Sequence, residues 1–261
     1  IIAYGKLGGL ELSYGSDLDV VFLHDSLGEK RVTNGARPLD NAMFFGRLIR
    51  RLMHFLTMQT GSGQLYEIDT RLRPDGHKGL LVTSTEAFEA YQEENAWTWE
   101  HQALLRARPV AGSKAIAKEF DRIRRDTLVH RVRRGQLRDD VIEMRQRMRK
   151  ELDRSSRAYF DLKHGRGGIG DIEFLVQYLV LLNAREHEDV IFYSDNIRQL
   201  DALVEAGCID PAVGNALQDA YRDFRLRSHH LGLDDQSALV SQDEFTAERE
   251  FVAETWDAWL G

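Results

Sequence analysis

The run Gly15-Ser16-Asp17-Leu18-Asp19, with the apolar Val20-Val21-Phe22-Leu23 behind it, constrains this chain most. It predicts a strand over 17–24. Side chains alternate along a strand, so Asp17 and Asp19 share one face and Leu18, Val20 and Phe22 the other. Two carboxylates about 7 Å apart on one strand can share a pair of divalent cations. A second strand is expected over 65–70, with Tyr66 and Ile68 on one face and Glu67, Asp69 and Arg71 on the other. Asp69 then offers a third carboxylate on an adjacent strand.

Asp-x-Asp by itself is common in turns, where both acids are solvated. Three features favour a metal site here: Gly15-Ser16 directly before the first acid, Gly8-Gly9 upstream, and the second acid-bearing strand one helix later. Hard oxygen ligands suit Mg²⁺, expected as a pair of ions with Mn²⁺ as the alternative. Two such ions can clamp the attacking and leaving oxygens of a nucleotidyl transfer. The expected catalytic and metal-binding set is therefore Asp17, Asp19 and Asp69. For the triphosphate of ATP the candidates are Lys6, Gly8, Gly9, Gly15, Ser16, Arg71 and Arg73, because amides in tight turns and cationic side chains hold phosphate. Each has a plainer alternative: turn geometry for the glycines, and a salt bridge orienting Asp69 for Arg71.

The chain has 261 residues and a net charge of -7. An acidic balance disfavours nucleic acid, which usually meets a basic groove. Cys208 is the single cysteine, so no intrachain disulfide forms, consistent with a cytoplasmic setting. No apolar run is long enough to span a membrane. The chain opens Ile1-Ile2-Ala3-Tyr4 without Met, which reads as a piece of a longer protein.

Further elements follow from periodicity. Ile1–Tyr4 predicts a strand, and 6–13 a turn with a short helix. Residues 25–38 predict a surface loop. Asp40 is a candidate N-cap, before a helix with Phe44, Phe45, Leu48, Ile49, Leu52, Met53 and Leu56 at helical spacing, stopped by Gly61-Ser62-Gly63. A strand over 80–83, a helix capped by Ser84 or Thr85, and a helix over 97–108 complete an α+β catalytic domain, 1–112. Residues 113–261 predict an all-α helical bundle, with 171–182 as its central helix. The arginines between Arg122 and Arg157 alternate with acids and predict a solvated face. The glycine-rich 163–173 predicts a helix-start loop.

Several stretches carry a family resemblance. They are Tyr4-Gly5-Lys6-Leu7-Gly8-Gly9, Gly15-Ser16-Asp17-Leu18-Asp19, Tyr66-Glu67-Ile68-Asp69-Thr70-Arg71-Leu72-Arg73-Pro74, Trp97-Thr98-Trp99-Glu100-His101-Gln102-Ala103-Leu104, Gly167-Gly168-Ile169-Gly170-Asp171-Ile172-Glu173-Phe174 and Phe245-Thr246-Ala247-Glu248-Arg249-Glu250. Together they resemble the bacterial bifunctional glutamine-synthetase adenylyltransferase/adenylyl-removing family, over essentially the whole chain and most closely in its C-terminal, adenylylating half. Gly170 departs from the Thr expected in that motif. The resemblance implies a DNA-polymerase-beta-like nucleotidyltransferase domain followed by a helical bundle. It implies transfer of AMP to a tyrosine of glutamine synthetase, metal ligation by Asp17, Asp19 and Asp69, and a regulatory PII-type partner. The readings kept beside it are phosphorolytic removal of AMP, a nucleotidyltransferase acting on RNA or another hydroxyl, and a non-catalytic nucleotide-binding module.

Overall fold

The computed structural model describes residues 1–26, 32–61, 63 and 66–261. Its contacts divide the chain into two compact units, Ile1–Arg131 and Val132–Gly261.

The first unit is built on β2 (Leu18–His24). Antiparallel β1 (Ile2–Ala3) lies along one edge of β2, and β5 (Arg108–Pro109) pairs with β1 in turn. The other edge of β2 carries two short parallel partners, β3 (Ile68–Asp69) and β4 (Val82–Ser84). The alternation read from the sequence holds. Val20, Phe22 and Val82 form a buried cluster, and Leu18 and Ile68 pack against it. Helix α2 (Asn41–Leu56) covers that face with Phe45, Ile49, Leu52 and Met53. Asp40 caps it as expected, its side chain accepting from the Met43 N–H at 3.1 Å. The helix ends at Leu56, before the glycines expected to stop it. Of the expected loop 25–38, residues 27–31 lie outside the described residues. So do Ser62, Gln64 and Leu65, and with Leu65 the start of the expected second strand.

Helix α1 (Gly5–Gly8) is a single turn between β1 and β2. Ser84 caps α3 (Thr85–Glu94) through the Ala87 N–H. Glu100 accepts from the Trp97 N–H at 2.9 Å, closing the first turn of α4 (Thr98–Leu105). The helix expected to run to Arg108 stops three residues sooner, because Arg108 is needed in β5. Helix α5 (Lys114–Asp126) and the π-helical turn Thr127–Arg131 belong with this unit, beyond the expected division at Gly112. Phe120 packs on Phe88 of α3 at 5.9 Å between ring centroids. Arg124 donates to the Leu104 and Leu105 carbonyls at 3.1 and 2.7 Å, satisfying the end of α4.

The second unit is helical around α7 (Ile169–Asn183), with α6 (Arg134–Leu152), α8 (Asn196–Glu205), α9 (Pro211–Leu233) and α10 (Thr246–Leu260) packed about it. Ile172, Leu175, Val176, Leu179 and Val180 of α7 are fully buried, as a bundle's central helix should be. It is not purely helical. A two-stranded antiparallel ribbon, β6 (Tyr159–Asp161) with β7 (Leu239–Ser241), corrects the all-α expectation. Among the described residues no helix is long and apolar enough to cross a membrane.

Candidate active site

Parallel pairing of β2 and β3 sets Asp19 directly opposite Asp69, with Leu18 opposite Ile68 on the core face. The two carboxylates thus share the face turned away from the core. Asp17 precedes β2 by one residue and is exposed. Asp19 is half-buried, and its carboxyl is pushed up to about 6, by burial first and then by the negative charges of Asp69 and Asp17. Asp69 moves the other way. Arg71 donates from its backbone N–H to Asp69 Oδ1 at 2.8 Å and from Nε to Oδ2 at 2.6 Å, holding that carboxyl below the usual carboxylate range. Arg71 is therefore the salt-bridge partner that the sequence left as an alternative to phosphate contact. Its side chain is 64% exposed, against 12% for Asp69.

The donor set is all oxygen, and its negative charge exceeds the cations beside it, which suits a hard divalent ion. Among the described residues, no three His, Cys, Asp or Glu side chains are gathered as a metal cluster. Arg71 occupies both oxygens of Asp69, and Asp17 stands out in solvent.

The other candidates divide into open and enclosed. Gly15 is exposed, has a φ of +70°, and has nothing within 4 Å of where a Cβ would stand. Lys6 lies close enough to Asp19 to lower its pKa. Gly8 and Gly9 are buried, and their amides donate to the Tyr4 and Gly5 carbonyls at 2.8 and 3.0 Å. A Cβ on Gly8 would stand 1.9 Å from the Arg106 carbonyl oxygen, and one on Gly9 2.5 Å from an Arg106 guanidinium nitrogen. Close packing against the Arg106 backbone therefore requires glycine at position 8, and the Arg106 guanidinium crowds position 9. Ser16 is buried, its Oγ accepting from the Ser13 N–H at 3.0 Å and bonding the Ser13 hydroxyl at 2.7 Å. Arg73 donates to the Thr70 carbonyl and hydroxyl at 2.7 and 2.9 Å, bracing the turn after β3.

Residues 1–123 match the family model for glutamate-ammonia ligase adenylyltransferase, GlnE. Residues 135–254 match the model for GlnD PII-uridylyltransferase. A bifunctional glutamine synthetase adenylyltransferase/adenylyl-removing enzyme of Thioalkalivibrio sulfidiphilus is 54% identical over 98% of this chain and 26% of its own length. The enzyme of the same name from Nitrosococcus oceani is 48% identical over 100% of this chain and 27% of its own length. The chain therefore carries a GlnE-type adenylyltransferase domain over residues 1–123. It spans about a quarter of the length of the curated relatives it matches.

Three residues at or behind the carboxylate face escaped the sequence reading. Gly5 has a φ of +51°, and a Cβ there would stand 2.2 Å from Asp19 Oδ2, so only glycine leaves room for that carboxylate. Arg108 donates to the Gly8 and Leu7 carbonyls at 2.9 and 3.0 Å, tying β5 to the end of α1. Arg106 forms a buried ion pair with Glu11. Close approach to a glycine leaves no mark in the sequence, and the two arginines follow an apolar helical stretch that reads as helix.

Proposed function

We propose that this chain transfers AMP from ATP to a tyrosine hydroxyl of glutamine synthetase, releasing pyrophosphate. The observation that carries the reading is the facing pair Asp19 and Asp69, with Asp17 beside it, in a GlnE-type domain. The sheet and helices of the first unit then correspond to a DNA-polymerase-beta-like nucleotidyltransferase domain. Asp17, Asp19 and Asp69 would hold Mg²⁺ or Mn²⁺, which when bound neutralises the triphosphate and acidifies the attacking hydroxyl. Arg71 holds the Asp69 carboxyl below the usual carboxylate range, which suits it to ligation more than to accepting a proton. Arg71 is exposed enough to leave Asp69 for a triphosphate oxygen, and Lys6 lies near the same carboxylates. Val20, Phe22 and Val82 fix β2 beneath the carboxylates, so the ligands are positioned by a packed core.

A PII-type protein as regulatory partner and a cytoplasmic setting belong to the same proposal, the former supported by the name of the model matching residues 135–254. The test supplies the chain with unmodified glutamine synthetase and ATP, and separately with adenylylated glutamine synthetase and phosphate. AMP appearing on tyrosine in the first reaction is the expected result. Removal of AMP in the second reaction alone contradicts it.

A further inference from the structure

The second unit holds a cleft of about 530 Å³ between α6, the glycine-rich turn before α7, and the end of α10. Four arginines line it: Arg138, Arg145, Arg149 and Arg166. The carboxylates beside them are Asp139, Asp153, Asp171 and Asp257. Arg166 pairs with Asp257. Arg145 and Arg149 share one carboxylate, Asp171, at 2.6 and 2.7 Å. Arg138 donates to the Gly261 carbonyl, and its only ion-pair partner among the described residues is Asp139, 3.8 Å away and 84% exposed, which screens it little.

Among the described residues, two buried nitrogens in this cluster lack a hydrogen-bond partner, Nη1 of Arg145 and Nε of Arg149. The Arg145 side chain is 1% exposed, and burial together with the charge of Arg149 lowers its pKa. A buried guanidinium donor left without an acceptor is costly. The cleft therefore combines four guanidiniums, buried donors in a fork geometry that matches oxyanions, and an apolar wall of Ile142, Trp256 and Leu260. The volume is that of a small-molecule site.

We propose that this cleft binds a small dianion bearing a phosphate or two carboxylates. Asp171 holds Arg145 and Arg149 in place, accepting also from the Gly167 N–H at 2.7 Å, and the two arginines present their remaining N–H groups to the ligand. The site lies wholly within the second unit and does not depend on the reading given to the carboxylates of the first.

The test is calorimetric titration of the full-length protein with inorganic phosphate and, separately, with malonate, each against potassium chloride at equal ionic strength. Saturable binding of one or both is expected, and which one binds identifies the source of the charge. Arg138→Gln and Arg149→Gln should each weaken binding at least tenfold without changing the helical circular dichroism. Trp256→Phe should keep the binding heat and lose the accompanying fluorescence change. Should Arg149→Gln unfold the unit, Arg138→Gln, on an exposed side chain, decides alone. Heats equal to those of chloride, or binding untouched by Arg138→Gln, would overturn the assignment.

Discussion

Asp19 and Asp69 stand opposite each other on two parallel strands, and their carboxyl groups are driven in opposite directions, Asp19 up to about 6 and Asp69 below its ordinary range. Burial and the neighbouring acids outweigh the cations near Asp19, whereas Arg71 bonds Asp69 directly. The expected consequence is divalent-ion binding centred on Asp19. Calorimetry with Mn²⁺ should show binding to the wild-type chain that Asp19→Asn abolishes, while the far-ultraviolet circular dichroism of the two stays the same. Removing divalent ions with EDTA should stop AMP transfer, and added Mg²⁺ should restore it.

Arg71→Ala separates the two roles of that arginine. The guanidinium is 64% exposed, so the stability cost should stay below about 1 kcal/mol. With Asp69 released, Mn²⁺ should bind several-fold tighter without nucleotide, whereas the KM for ATP should rise. Metal affinity unchanged from wild type would show that the Arg71–Asp69 pair does not compete with the ion.

Gly5→Ala places a methyl where Asp19 Oδ2 now sits and adds a side chain at a φ of +51°. The left-handed conformation alone costs about 1–2 kcal/mol. The melting temperature should fall, and AMP transfer should fall further than the lost stability explains, because the displaced group is a proposed ligand. A variant with the wild-type rate would remove Gly5 from the site.

Burial raises the pKa of Glu100, whose carboxylate accepts from the Tyr91 hydroxyl and the Trp97 N–H. The folded state then holds the proton to higher pH than the unfolded state. Between the unfolded value near 4.5 and the raised folded value, stability falls as pH rises, by at most about 1.4 kcal/mol per pH unit. Glu100→Gln has no such charge. Denaturation midpoints taken upward from pH 4 should therefore show wild type losing ground to the variant, and a pH-independent difference would contradict the burial argument.

Asp171 is 1% exposed and accepts from Arg145, Arg149 and the Gly167 N–H. Asp171→Asn leaves two guanidiniums short of their counter-charge in the interior. A loss of about 3–5 kcal/mol is expected, read as a lowered urea midpoint for the second unit. A shift under 1 kcal/mol would mean that water reaches the cluster.

Much of this arrangement is legible in the sequence, for physical reasons that can be named. Strand alternation alone places Asp19 and Asp69 on one face and Leu18, Val20 and Phe22 on the other, and Asp40 caps α2 because its side chain reaches the third amide onward. What stays hidden is whatever depends on a distant partner. Arg124 and Arg145 belong to a charged pattern that reads as solvated, yet one closes α4 and the other pairs with Asp171. The ribbon of Tyr159–Asp161 with Leu239–Ser241 joins two three-residue segments far apart in the chain, too short to show a period. Arg108 leaves the helical pattern because pairing beside β1 demands it. At Gly8-Gly9 the packing reason and the phosphate reason look alike in sequence, and the approach of Arg106 supplies the packing reason.

The most direct test of the carboxylate pair is the rate of AMP transfer from ATP to glutamine synthetase by Asp69→Asn beside wild type, in saturating Mg²⁺, with both proteins shown to be folded. If Asp69 completes the transfer centre with Asp19, the variant should be slower by about a thousandfold, equivalent to roughly 4 kcal/mol of barrier. A rate within a factor of a few of wild type would contradict the assignment of these two strands as the site of the chemistry.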